Sequence, residues 1–124
     1  RRNSTLTRVM KLCLAFPEAK LEHKHAHVAF AVRGKTFVYY LDDHHGDGIV
    51  SACFKVGPGE NAELVRAEPD RYYMPAYIGP RGWVALRLDV GAIDWGEVLE
   101  LATQSYRRVA PKRLVERAFT RGSK

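Results

Sequence analysis

The sequence is short of the features that mark several large classes of protein. No apolar run approaches the roughly 18 residues of a membrane-spanning helix, so we expect no membrane partner. The first four residues lack the apolar stretch of a secretory signal. Cysteine is scarce, and Cys13 and Cys53 stand 40 residues apart, with neither a CxxC pair nor a zinc-binding spacing. We therefore predict two half-buried free thiols in a reducing cytoplasm, and no cofactor.

Catalytic motifs are also missing from the 124 residues. There is no G-x-S-x-G nucleophile turn, no phosphate-binding P-loop, no Rossmann glycine pattern and no nucleophile beside an obvious base. The Asp residues between positions 42 and 47 stand in a glycine-containing stretch, where Asp is a typical loop former. The sequence offers no residue-level support for an enzyme, and we predict a non-catalytic protein.

What the sequence does have is an uneven distribution of positive charge. The 20 Lys and Arg against 14 Asp and Glu give a net charge of +6. The last 18 residues hold seven of these cations and one acid, so the first 106 residues are balanced. A basic tail is typical of a surface that binds a polyanion. A solvated helix end, where cations suit the helix dipole, explains the same pattern.

Hydrophobic periodicity predicts one α+β domain over residues 1–124. The predicted elements are a helix over 5–16, strands over 28–32, 36–41 and 49–56, a short helix over 60–68, a strand over 83–88, a long helix from Asp94 to Pro111 and a short terminal helix over 114–119. The order α-β-β-β-α-β-α, with short antiparallel connections, predicts a two-layer sandwich. The helices would cover one face of an antiparallel sheet and leave the other face partly open to solvent.

The predicted loop over 71–82 and the residue after it form the segment richest in aromatic and basic side chains. Tyr72, Tyr77 and Trp83 are candidate ligand-binding residues, because such rings stack on bases and line small-molecule sites. They are equally suited to packing against the core.

Cations at turns and in the tail are candidates for contacting a phosphate backbone. Arg81 lies in a glycine-rich tip, and Arg33 and Lys35 flank Gly34 in a predicted hairpin turn. The candidate cations of the tail are Arg107, Arg108, Lys112 and Arg113. Together these positions predict backbone contacts without sequence specificity.

Three histidines alternate along the chain before the first predicted strand. On one extended strand, His23, His25 and His27 would share a face, and imidazoles are common zinc ligands. Neighbours two apart on a strand stand about 7 Å apart, which is far for two rings to share an ion. A solvent-facing strand end is the alternative, and a metal site stays a secondary hypothesis.

Several segments between residues 30 and 106 resemble the MmcQ/YjbR family, whose members are described as DNA-binding. The matching segments are the F-x-V-x-G-K-x-F hairpin at 30–37, the strand at 54–56, the aromatic loop and Trp strand at 72–84, and the E-L-x-x-x-S-Y helix at 100–106. The resemblance implies a two-layer fold like that of type III secretion chaperones and implies no catalytic residue. This chain lacks the Trp that is frequent in the family near Glu22 and has histidines there instead.

Three functional hypotheses follow from these observations. The first is a cytoplasmic DNA-binding protein that grips the phosphate backbone through its basic hairpin tips and basic C-terminal helix. The second is a domain that binds a small ligand or a metal, and the third is a protein-interaction module that uses the open sheet face. A monomer or a homodimer is compatible with each of them.

Overall fold

The computed structural model describes residues 2–24, 27–43 and 46–120. The helices are α1 (Arg2–Leu14), α2 (Glu60–Ala67), α3 (Trp95–Val109) and α4 (Lys112–Thr120), and a short 3₁₀ helix covers Gly79–Arg81. The strands are β1 (Ala19–Lys24), β2 (His27–Val32), β3 (Lys35–Asp42), β4 (Val50–Lys55), β5 (Tyr72–Tyr73) and β6 (Trp83–Arg87). Within the described ranges, no helix is both long enough and apolar enough to cross a membrane.

The strands form one antiparallel sheet in the order β1-β2-β3-β4-β6-β5. The hairpin between β2 and β3 turns on Arg33 and Gly34, which have φ values of 52° and 80°. Positive φ at both central residues is the requirement of a two-residue type I′ turn, and glycine meets it without strain. Lys35 then pairs with Val32 as the first residue of β3.

A β-bulge interrupts the alternation of β3. Phe30 pairs with Val38 while Ala31 pairs with Thr36, so Phe37 is an extra residue on the bulged strand. As a result, the consecutive residues Phe37 and Val38 are both buried in the same core cluster.

The main core lies between the sheet and the helices. Each of α1, α3 and α4 contributes a buried apolar stripe, and every second residue of the strands faces it. Among the buried members of this cluster are Val9, Cys13, Phe30, Val38, Phe54, Val84, Val98, Ala102, Tyr106 and Leu114. The predicted α+β architecture, an antiparallel sheet with helices packed on one face, is confirmed.

The opposite face of the sheet carries a smaller apolar cluster. Cys53, Trp83 and Ala85 are buried there, and Tyr73 and Ile78 pack over them. The segment from β5 to the 3₁₀ helix therefore covers part of the face that was predicted to be partly open to solvent.

Helix α3 is capped at its N-terminus and is bonded near its C-terminus to the segment between α1 and β1. Asp94 caps its N-terminus by accepting hydrogen bonds from the backbone N–H groups of Gly96 and Glu97. Near the C-terminus, the Tyr106 hydroxyl donates to the Pro17 carbonyl at 2.8 Å. The Tyr106 ring stacks on Phe16 with a centroid separation of 4.8 Å. This tyrosine of the E-L-x-x-x-S-Y segment is therefore a structural residue.

Two strands of the structure, β1 and β5, are absent from the predicted elements, whereas the predicted short terminal helix is present as α4. Strand β1 was missed because only Ala19 and Leu21 of its six residues are apolar, and charged or polar side chains of this kind are typical of an edge strand. Strand β5 is two residues long and lies inside the stretch predicted to be a loop. Helix α1 spans Arg2–Leu14 instead of residues 5–16.

Candidate functional site

Four cationic side chains converge at one end of the sheet. They line two adjoining depressions of about 810 and 360 Å³, which we call the cationic groove. Lys55, Arg81 and Arg108 line both depressions, and Lys35 lines the smaller one. The four residues come from β3, β4, the 3₁₀ helix and α3, so the groove exists only in the folded chain.

The sheet places Lys35 and Lys55 at the same end of two neighbouring strands. Lys35 is the first residue of β3 and Lys55 the last residue of its antiparallel neighbour β4. Ser105, which is fully buried, joins this end of the sheet to α3. Its hydroxyl accepts the backbone N–H of Lys55 at 2.9 Å and donates to the carbonyl of Phe37 at 2.5 Å. These two bonds bring the last turn of α3, with Arg108, to the groove.

The position of Arg81 is set by the backbone around it. The buried Asn61 side chain of α2 donates from Nδ2 to the carbonyls of Gly79 and Trp83, at 2.9 and 3.1 Å. The backbone N–H of Val56 donates to the Gly82 carbonyl at 2.8 Å. The 3₁₀ turn is thus tied to α2 and to the residue that follows β4, and it presents Arg81 at the mouth of the groove.

Among the described residues, Glu60 alone makes an ion pair with a cation of the groove, and it does not line the groove. No Asp or Glu lines either depression among the residues that the structure describes. Glu60 lies beside it, with its Oε1 3.9 Å from a terminal nitrogen of Arg108 and 2.8 Å from the backbone N of Gly57. A Cβ on Gly57 would lie 3.0 Å from that same Arg108 nitrogen, so glycine leaves room for the guanidinium. The cations of the groove therefore concentrate positive potential at this end of the sheet.

Arg33 does not join the groove. Its guanidinium makes a bidentate ion pair with Glu18, at 2.5 and 3.0 Å. The hydrogen bond from Arg33 holds the pKa of the Glu18 carboxyl below its usual value. The sequence could not show this pairing, since the two residues are 15 positions apart.

The predicted cations of the tail divide between two locations. Arg108 lies in the groove, whereas the Arg107 guanidinium stacks over the Phe119 ring, 5.1 Å from its centroid. Lys112 and Arg113 are exposed in the first turn of α4 and do not line the groove.

Lys55 was missed by sequence reasoning, although its alternation with Ser51 and Cys53 places it on the face opposite the helices.

A second cavity, which we call the aromatic pocket, lies beside the groove on the same sheet face. It has a volume of about 380 Å³. Its lining comprises His27, Tyr39, Leu41, Asp47, Tyr73 and residues 74–78. Tyr39 and Ile78 line both this pocket and the smaller depression of the groove.

The structure separates the three aromatic residues that were predicted to bind a ligand together. Trp83 is 7% exposed, packs on Tyr39 and lines the groove. Tyr77 is 83% exposed and lies at the aromatic pocket. Tyr72 faces the helices instead, where its hydroxyl donates to Glu97. Burial, together with this hydrogen bond, raises the pKa of Tyr72.

The histidines do not share one strand. His23 lies in β1 and His27 in β2, and the two strands form a hairpin. His23 pairs with Val28, which packs against the main core, whereas His27 contacts Tyr39 on the other face of the sheet. His25 lies outside the described residues. Among those described, no three His, Cys, Asp or Glu side chains are grouped to hold a metal ion.

Both cysteines are fully buried, where half-buried thiols had been predicted. Burial raises the pKa of the Cys13 thiol to about 12, and it also raises the pKa of Cys53. Since the thiolate is the reactive form, neither residue is suited to act as a nucleophile in the folded protein.

Comparison with known proteins identifies the family. The family model YjbR matches residues 14–108. The chain belongs to the YjbR family. The matched range contains all four cations of the groove, so the groove lies within the family domain.

Two solved structures share the fold of this YjbR chain. One is a Deinococcus radiodurans protein with a DUF419 domain, at 20% identity and a TM-score of 0.67, with 82% of this chain and 75% of that one covered. The other is a Pseudomonas syringae protein, at 18% identity and a TM-score of 0.61, with coverage of 88% and 98%. No curated protein matches the sequence.

Proposed function

We propose that this YjbR protein binds nucleic acid through phosphate groups held in the cationic groove. The observation that supports the proposal is the convergence of Lys35, Lys55, Arg81 and Arg108 on depressions without a lining carboxylate among the described residues. Cations that neutralise phosphates release condensed counterions, and this release supplies most of the sequence-independent affinity for nucleic acid.

The arrangement favours phosphates over an acidic protein partner. Arg81 and Arg108 present planar donor groups that match phosphate and carboxylate oxygens alike, and Lys35 and Lys55 add point charges, so the preference comes from the aromatic residues beside them. Tyr39, which is partly exposed, lies among the same lining residues and supplies aromatic surface beside the cations, with the buried Trp83 packed on it. A groove with cations along it and aromatic rings within it is typical of proteins that bind nucleic acid without sequence preference.

The salt dependence of binding tests the proposal. Four phosphate contacts predict that log K falls with log salt at a slope of about −3. The double variant Lys55→Gln/Arg81→Gln should reduce this slope to about −1.5, because each contact contributes about 0.7 to 0.9. Fluorescence anisotropy of a labelled oligonucleotide, between about 50 and 200 mM salt, measures both slopes.

A matched control separates the groove from net charge. Lys112→Gln/Arg113→Gln removes one Lys and one Arg that are exposed on α4, away from the groove. The slope of this variant should differ from the wild-type slope by less than the contribution of one phosphate contact, which is about 0.9. Equal losses in the two double variants, or no salt-dependent binding by the wild type, would refute the proposal.

A further inference from the structure

We propose that the aromatic pocket receives one unpaired nucleobase, so that the nucleic acid bound by this protein is single-stranded. This inference rests on the proposed function, because it takes the cationic groove as the site of the phosphates. The aromatic pocket is then a second site, its occupant is a nucleobase, and single-stranded nucleic acid is the preferred form.

The pocket has the size and lining of a site for a planar ring. Its volume of about 380 Å³ lies within the range of about 300 to 1,000 Å³ that is usual for small-molecule sites. Tyr39, Leu41 and Ile78 supply apolar and aromatic walls. The Tyr73 hydroxyl, which is hydrogen-bonded to Ser51 at 2.9 Å, supplies a polar group that can recognise the edge of a ring.

The charge of the pocket is opposite to that of the groove. Asp47 lines the pocket, and one of its carboxylate oxygens accepts the backbone N–H of Ile49 at 2.9 Å. A carboxylate at this position repels phosphate and accepts hydrogen bonds from N–H groups on the edge of a base. The two cavities therefore suit different parts of a nucleotide. The neutral ring lies in the pocket and the phosphates lie in the groove.

Tyr77 is held in a strained backbone conformation at the pocket. Its φ is 69°, and the backbone N–H of Ile78 donates to the carbonyl of Ala76 at 2.7 Å across it. This geometry is the γ-turn with positive φ, which is rare and costly for a bulky residue. Tyr77 lines the pocket, and its side chain is 83% exposed. Backbone strain of this kind concentrates at functional sites, and an exposed ring offers a surface on which a base stacks.

The pocket and the groove adjoin each other, which favours a nucleobase over other planar rings as the occupant. Tyr39 and Ile78 belong to the lining of both cavities, so a ring in the pocket lies one residue away from the cations. Within a duplex, bases are paired and stacked, and a base must leave the stack to enter a pocket. A single strand presents its bases without that cost.

Three oligonucleotides of about 10 nucleotides test the inference: a single strand, its duplex and an abasic strand with the same phosphates. The wild type should bind the single strand about tenfold or more tightly than the abasic strand. Tyr77→Ala should remove most of this difference and leave affinity for the abasic strand unchanged. Tyr77→Phe, which keeps the ring, should bind as the wild type does, and so should Leu99→Ala, which removes an exposed apolar side chain from α3.

The outcomes distinguish the inference from the function on which it rests. Equal affinity for the single strand and the abasic strand, or an equal effect of Tyr77→Ala on both, overturns the base pocket while phosphate binding stands. A preference for the duplex over the single strand overturns it too. If Lys55→Gln/Arg81→Gln leaves affinity for all three oligonucleotides unchanged, the proposed function itself fails.

Discussion

Replacing Ser105 with alanine should destabilise the fold more than any surface change on α3. The Ser105 hydroxyl is buried and joins α3 to two strands, through Lys55 N–H and the Phe37 carbonyl. Its loss leaves a backbone donor and a backbone acceptor without this partner, each at about 1–3 kcal/mol. Alanine is a better helix former than serine, which offsets about 0.5 kcal/mol of this loss. We expect the free energy of unfolding to fall by about 2–4 kcal/mol.

Urea denaturation monitored by circular dichroism measures this change. With a slope of about 2 kcal/mol per molar urea, the midpoint should move down by about 1–2 M. Gln104→Ala is the matched control, because Gln104 is exposed and bonds only to Glu100 on the same helix. The control should lie within about 0.5 kcal/mol of the wild type. If Ser105→Ala lies there as well, the hydroxyl does not join α3 to the sheet as argued.

Three further outcomes are expected. Tyr106→Phe removes the hydroxyl that donates to the Pro17 carbonyl and should lower the free energy of unfolding by about 1 kcal/mol in the same assay, and an unchanged midpoint would contradict that bond. The two cysteine thiols should react with a disulfide reagent only in denaturant, because both are buried, and fast labelling of the native protein would show otherwise. The pKa of Glu18 is lowered by Arg33, so its contribution to stability is present above the ordinary pKa of Glu and is lost as pH falls through the lowered value. Glu18→Gln should therefore have a lower urea midpoint than the wild type at neutral pH but an equal one in acid, and a constant difference at both pH values would refute the assignment.

Periodicity predicted the main elements because their apolar residues recur at helical or strand spacing. The stripe of α3 follows its buried face, and β2 and β6 are short apolar runs that are buried on both faces; these elements were placed correctly. Strand β1 has little such signal. Its charged residues stand on an edge strand, and only the pairing with β2 identifies it. Local propensity does not contain that long-range information.

The candidate site was predicted in part. Lys35, Arg81 and Arg108 were chosen because they stand at turns or at the end of a helix, and the fold brings them together. The sequence did not reveal that Arg33 is paired with Glu18, or that Lys55 points toward the same groove. Both facts depend on which strand ends become neighbours, and tertiary structure alone decides this.

The bulge in β3 has a consequence for engineering the protein. Deleting Phe37 would leave Ala31 opposite Thr36 and Phe30 opposite Val38, with every other strand pair in phase. The deletion would nevertheless remove the ring that contacts Phe16 and Tyr106 edge-on at 5.6 and 5.2 Å. The strand pairing would then be regular, but the core beneath it would contain a cavity where the Phe37 ring had been. The number of paired residues is therefore a poor guide to which single-residue deletions this sheet tolerates.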